Sequence, residues 1–356
     1  MTLDIIHTRL HNQQLTSQTF EKPEDLVAWF GAVQAQDFAA AKWALSLRID
    51  DETDSSIEQA FNDGKILRTH IMRPTWHFVT PSDIRWILAL TSPRVHRFNG
   101  YYYRQSGLDK TIFEKSNEVI KKALQKGKQL TRNELHIYLD EAKIPTKNLG
   151  LSYTIMQAEL DGIICSGPRR GKQFTYMLLD ERAPHSKQFT HEEALAELTK
   201  RYFQSHGPAQ AQDFSWWSGL TLNDAQKGIE LNKHIFQTEE HNKKKYWFVT
   251  IKNNTEQKQD GFLVPGFDEY FIAYKDRSDI LDSKYAKYLN HGGGMFNGAI
   301  VINGKMVGEW KRVLNSKNVM VTIKLFEKIT NTQQHTLKQQ VKRFGEFLNM
   351  PVVINV

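Results

Sequence analysis

Few side chains in this sequence stand in a pattern that suggests chemistry, and the missing patterns narrow the choice first. One cysteine, Cys165, and 13 scattered histidines give no zinc-finger or zinc-deaminase spacing, so no metal site is expected. There is no Walker lysine loop and no Gly-x-Gly-x-x-Gly fingerprint. Gly292-Gly293-Gly294 reads as a flexible turn without a following helix, and no cofactor is implied. What remains are amides, a histidine among aromatics, and clustered cations. Gln34 and Gln36 flank Ala35. A glutamine cannot deprotonate water as a carboxylate would, but its amide oxygen and NH2 group can hold and orient one. Residues two apart on a helix point about 200° away from each other, so the pair cannot share a site from mid-helix. It is expected at a helix end or an inter-helix turn, with Asp37 capping the next helix. Taken alone, Gln34-Ala35-Gln36 is a polar helix terminus. Taken alone, His77 is a structural histidine between Trp76 and Phe78, Lys243-Lys244-Lys245 is solvated charge, and Trp216-Trp217 is core packing. Cys165 closes the apolar run Gly162-Ile163-Ile164 and reads as a small buried hydrophobe.

The elements that must position these residues follow one recurring grammar: helix, turn, helix, then a strand pair with a polar or basic tip. The clearest copy starts at Thr131-Arg132-Asn133-Glu134, a capping box. Leu135, Leu139 and Ala142 line one helix face, Pro145 ends the helix, and a second helix runs over about 152–160. A hairpin follows, 163–166 and 173–178, whose tip carries Arg169, Arg170 and Lys172. This is the layout of a winged helix. Upstream, Pro23 can open a helix at its first position, with further helices over 39–47 and 55–62 and strand-like runs at 65–71 and 75–80. Downstream, helices over 191–205, 213–219 and 222–231 precede a strand at 246–251. After residue 252 the texture changes. A polar linker spans 253–260, and Asn303-Gly304 supplies the type I′ turn of a hairpin over 301–307. A strand over 319–326, a helix over 332–348 and a last strand over 352–356 complete a small, mostly β region. The expected fold class is α+β, divided into four units. These are winged-helix units at 1–110 (holding Gln34 and Gln36), 111–185 and 186–252, then a β-rich domain at 253–356.

Composition sets the class. With 40% hydrophobic and 24% charged residues, the chain has enough apolar material for real cores and too much for a disordered one. No apolar run approaches the roughly 20 residues that span a bilayer, and residues 1–15 lack a signal-peptide pattern. One cysteine cannot form an intramolecular disulfide, which fits a reducing compartment; the expected location is cytoplasmic. A net charge of +7 and a pI near 9.2 favour polyanionic partners, because Lys and Arg displace counterions condensed on phosphates.

Several segments in order carry a resemblance: Val33-Gln34-Ala35-Gln36; Leu67-Arg68-Thr69 with Arg73-Pro74-Thr75-Trp76-His77; Asp213 through Leu220; Pro265 through Tyr270 with Tyr274-Lys275-Asp276-Arg277; and Gly294 through Gly298. Together they resemble the AlkZ/YcaQ family of bacterial winged-helix DNA glycosylases over nearly the whole chain. Gln34-Ala35-Gln36 is similar to the family's Gln-apolar-Gln branch. The resemblance implies tandem winged-helix units around double-stranded DNA and a barrel-like C-terminal domain. It implies a monofunctional glycosylase that hydrolyses the bond to N7-alkylated guanine, extending to interstrand crosslinks. Gln34 and Gln36 are then the catalytic pair. His77, Arg73, Arg169, Arg170, Lys172 and Asn303 become DNA-contact candidates, the last because the family probes DNA with a hairpin of this domain. An amide suits such a substrate. A cationic N7-alkylguanine leaves as a neutral base, and a carbonyl dipole can face the positive charge developing on the sugar. The expected state is a monomer without cofactor or membrane partner. Two other readings compete, a non-catalytic winged-helix transcriptional regulator binding a palindrome and a protein-interaction scaffold.

Overall fold

A computed structural model describes residues 3–249, 261–289 and 297–355. One wiring occurs three times. Helix Pro23–Phe30 leads to a short strand, Val33–Gln34, then to helices Phe38–Ser46 and Asp54–Asn62 and the hairpin Leu67–Ile71/Thr75–Val79. The short strand pairs with the second hairpin strand, which is therefore central. Helix Lys110–Leu124, strand Leu130–Thr131, helices Arg132–Glu141 and Gly150–Leu160, and strands Ile164–Ser166 and Thr175–Leu178 repeat that order. In the third copy, helices His191–Ser205, Ala211–Ser218 and Leu222–Leu231 precede the hairpin Gln237–His241/Lys244–Phe248. A single bridge, Ala209 to Trp247, stands where the others have the short strand. These are the tandem winged-helix units that the sequence pattern implied.

Local signals start the helices. Thr53, Thr131, Thr190, Thr221 and Thr330 each cap a helix whose third residue reaches back to the cap. This reciprocal pairing satisfies donors that a helix start leaves free. Pro23 opens its helix as expected. Helix Ile84–Gln105 joins the first unit to the second and keeps Pro93 inside it.

The C-terminal region is a small sheet domain, but it is open rather than barrel-like. Its strands run in the order Val352–Asn355, Val319–Leu325, Lys305–Leu314, Gly298–Ile302, Gly261–Val264, and the two outermost do not pair with each other. Helix Asn331–Leu348 covers the sheet instead. Its Phe344 meets both Trp43 and Trp310 edge-on, and Phe347 adds a second contact to Trp43. The linker at 253–260 and Gly292-Gly293-Gly294 lie outside the described residues.

Two cores result. Ile120, Leu124, Leu135, Leu139, Ile155 and Ile164 form a local core within the second unit. A larger core runs without a break through Phe30, Trp43, Phe78, Tyr202, Trp217 and Ile300. Segments far apart in sequence are thus locked around the strand that carries Gln34. Among the described residues no helix is long and apolar enough to cross a membrane.

Candidate active site

The Gln34-Ala35-Gln36 segment lies between two helices, with Asp37 capping the second: its carboxylate accepts from the Ala40 N–H at 3.0 Å. The local backbone is a strand rather than a helix end. Gln34 pairs with His77, and the Ala35 N–H donates to the Trp76 carbonyl at 2.7 Å. Val33 and Gln34 form the strand, and Gln36 lies in the bend that follows it. Both amide oxygens are held by donors from the hairpin. Arg73 Nη2 donates to Gln34 Oε1 at 2.8 Å, and the Trp76 N–H to Gln36 Oε1 at 3.3 Å. Gln34 is buried and Gln36 exposed.

Beneath the strand sits Glu269, fully buried. It accepts from the Gln34 N–H at 2.7 Å, from Trp217 Nε1 at 2.9 Å and from His206 Nε2 at 3.4 Å. Burial opposes its charge, but these donors hold the carboxyl below its usual range. Burial in turn pushes the His206 pKa down, against the opposing pull of Glu269. Next door, Asp268 forms a two-pronged bond with buried Arg48, at 2.8 and 2.7 Å. Arg48 also donates to the Gln13 and Ala44 carbonyls. The Asp268–Arg48 bond anchors the 268–269 turn against the first unit, and Glu269 reaches Gln34 from it. Burial lowers the Arg73 pKa, and the charge of Glu269 opposes that shift.

The remaining candidates divide. His77, a DNA-contact candidate from the sequence, has 0% exposure, so its ring lies within the interior. Its Nδ1 lies 3.0 Å from the Thr75 carbonyl, and Nε2 has no hydrogen-bond partner among the described residues. This is the pattern of a neutral ring with its proton on Nδ1. Burial, reinforced by the Arg73 cation, pushes its pKa down to about 3. Arg73, expected on DNA, is half-buried and spent on Gln34. Arg169 is not an open wing-tip cation either. It binds both oxygens of Glu58 at 3.0 and 3.1 Å and lies over Phe38 and Phe174. Arg170 is exposed, although paired with Glu134 at 2.7 Å, and Lys172 is exposed. Asn303 and Gly304 form the expected left-handed turn pair. That turn packs on the N-terminal helix Ile5–Asn12: a Cβ on Gly304 would stand 2.1 Å from Ile6 Cγ2.

The hairpin of this domain nearer the site is the next one. On strand Lys305–Leu314, Arg312 lies 3.8 Å from Asp37, and Val313 and Leu314 are exposed toward the turn at 315–318. Of the Trp216-Trp217 pair only Trp217 is core. Trp216 is 42% exposed beside Arg73, whose guanidinium carbon lies 6.0 Å from its ring centroid, and it is fixed by a bond from Nε1 to the Ile272 carbonyl. Cys165 is a buried strand residue, as its apolar run implied. Lys244 is paired with Asp276 at 2.6 Å. Sequence reasoning missed Glu269 and Arg312. Glu269 lies inside the resemblance segment Pro265 through Tyr270 and in a double carboxylate, Asp268-Glu269, ahead of the apolar run Tyr270-Phe271-Ile272, but was given no role. Among the described residues no group of His, Cys, Asp and Glu is arranged to hold a metal ion.

Comparison with known proteins agrees with the fold. The family model described as "DNA glycosylase AlkZ-like" matches residues 27–347. An "Interstrand DNA cross-link repair glycosylase" of Streptomyces sahachiroi is 24% identical over 324 residues, 86% of each chain. The solved structure of the Streptomyces sahachiroi DNA glycosylase AlkZ superposes with a TM-score of 0.80 at 22% identity, covering 98% of both chains.

Proposed function

The chain belongs to the family of AlkZ-like DNA glycosylases, and we propose that it hydrolyses the N-glycosidic bond of N7-alkylated guanine in duplex DNA, including guanines held in interstrand crosslinks. One observation carries the reading: two neutral amides stand two residues apart at the end of a short strand, and each carbonyl is oriented by a donor from the facing hairpin. An amide oxygen has two lone pairs. With one engaged, the other stays available to a water or to the sugar. As the cationic base departs, electron density moves into the ring and positive charge appears at C1′. A fixed carbonyl dipole stabilises that charge without having to reorient. Water then adds to C1′ and loses its proton to solvent, and the base leaves neutral. Glu269 partly offsets the Arg73 cation beside Gln34, which lessens the repulsion that cation would exert on the developing oxocarbenium ion.

Gln36 is the exposed amide and reaches the sugar first. Gln34, held by Arg73 and Glu269, fixes the geometry around it. Undamaged guanine would leave as an anion and is not cleaved. A base tied to the opposite strand cannot swing out of the stack, so an enzyme that accepts crosslinks attacks C1′ within the duplex. The exposed Val313 and Leu314 on the hairpin beside Asp37 suit contact with the helix at that point. Arg170 and Lys172 suit phosphates flanking it.

The test is base release from duplex DNA carrying one N7-methylguanine. Gln34→Ala and Gln36→Ala are each expected to lower release sharply, by roughly 100-fold as for loss of one fixed electrostatic stabiliser, while DNA binding is kept. Release unaffected by both substitutions would refute the assignment of the amides.

A further inference from the structure

Helix Ile84–Gln105 carries Arg85, Arg94, Arg97 and Arg104 and no Asp or Glu. Its inner side is bolted down. Thr91 Oγ1 accepts from the Met72 N–H at 3.2 Å, Ser92 donates to the Leu160 carbonyl at 2.8 Å, and His96 meets Asp161 at 3.0 Å. Tyr103 is buried against Phe113 and Tyr153. The outer side from Arg94 onward is open. Arg94, Arg97, Phe98, Tyr101 and Arg104 are all exposed, Phe98 to 66% and Tyr101 to 59%. At 100° per residue these five share one face, because they recur at three- and four-residue steps. None of the three arginines has an ion pair or hydrogen bond among the described residues, whereas Arg9, Arg48, Arg169 and Arg201 each do.

We propose that this face is a second contact surface for DNA, an arginine ladder with aromatic rungs that grips the phosphate backbone of the duplex flanking the lesion. Its occupant follows from charge. A face with three unneutralised guanidinium groups and no carboxylate repels a cation and leaves a neutral protein partner's carbonyls outmatched; a polyanion satisfies it. The apolar rings fit the sugar edges between phosphates. Position supports the same occupant. Met72, held by Thr91, is the residue before Arg73, and Arg73 holds Gln34. The ladder therefore starts beside the site and leads away along the helix for about 15 Å between Arg94 and Arg104, at 1.5 Å per residue. A duplex entering the site and continuing along this helix meets each arginine in turn. The inference rests on the glycosylase reading for the location of the DNA.

The test measures affinity of the full chain for unmodified duplex across a salt series, with base release measured separately. The triple variant Arg94→Gln, Arg97→Gln, Arg104→Gln removes only exposed, unpartnered groups, so its melting midpoint should match the parent. If each arginine meets one phosphate, the slope of log K against log salt falls by about 2.7. The parent then loses roughly 40-fold more affinity than the variant between 50 and 200 mM salt. Single-turnover base release at saturating protein is retained. An unchanged slope, with or without weaker binding, would overturn the ladder, because the contact would not be ionic. Absence of base release by the parent would instead overturn the substrate reading and leave the salt series to judge the ladder by itself.

Discussion

Acidification should loosen this protein well above the pH at which carboxylates titrate, and His77 sets the size of the effect. The ring is completely buried, with Gln34 opposite it on one strand, Thr69 opposite it on the other, and Arg73 and Glu269 close by. Its folded pKa is about 3 against 6.5 for the free side chain. A lowered histidine pKa means that the unfolded chain binds a proton that the folded chain refuses. Stability from this group is therefore whole above about pH 6.5 and declines as pH falls toward the folded value. At 1.36 kcal/mol per unit, moving to pH 5 costs about 2 kcal/mol from His77 alone. His206 and the partly buried His11 shift the same way. Glu269, held below its usual value, adds a loss only at still lower pH. Urea unfolding midpoints between about pH 7.5 and 5 check this, for the parent and for His77→Gln, whose amide can still donate to the Thr75 carbonyl. The parent curve should be steeper by about 1.4 kcal/mol per pH unit below pH 6. Parallel curves would refute the argument and mean that His77 can take up its proton in the folded state.

Three further outcomes are expected. Glu269→Gln puts an amide NH2 against at least one of three buried donors, so it should lower stability by about 1–3 kcal/mol. It should also cut single-turnover base release by on the order of 10-fold through displacement of Gln34, with the DNA salt slope unchanged. Arg169→Ser should destabilise by about 1–2 kcal/mol, since it leaves Glu58 with Lys42 alone and removes one of the two cations over each of Phe38 and Phe174, again without altering the salt slope; a fall in slope would return Arg169 to the phosphate-binding set. Cys165, whose thiol burial pushes up to about 12, should resist iodoacetamide in the folded protein and react only on unfolding.

The three copies of the winged-helix unit differ in how much of their wiring is local. The capping box at Thr131, the opening Pro23 and the Asn303-Gly304 turn were legible from the chain. Each is decided by residues three or four positions apart, whose hydrogen bonds form wherever the segment lies. The alternation of helix pairs and hairpins was legible for the same reason, and so was Asp37 as a cap. The strand Val33–Gln34 was not. Two residues have no periodicity, and what makes them a strand is the pairing of Gln34 with His77, contributed by a hairpin formed much later in the chain. Val33–Gln34 therefore read as a helix end.

Residue types thus made neutral amides the candidate chemistry and gave three helical units ahead of a small sheet. Tertiary structure decided which charges were free to act. Arg169 looked like a free wing-tip cation until Glu58, 111 positions away, claimed it, and Arg73 was claimed by Gln34. Glu269 reaches the Gln34 N–H across 235 positions, while Arg94, Arg97 and Arg104 have no ion pair or hydrogen bond among the described residues. The physical reason is range. A cap or turn is satisfied by its own neighbours, but a long charged side chain takes whichever opposite charge or carbonyl the folded core brings within about 3 Å, and nothing in the linear sequence says which one that will be.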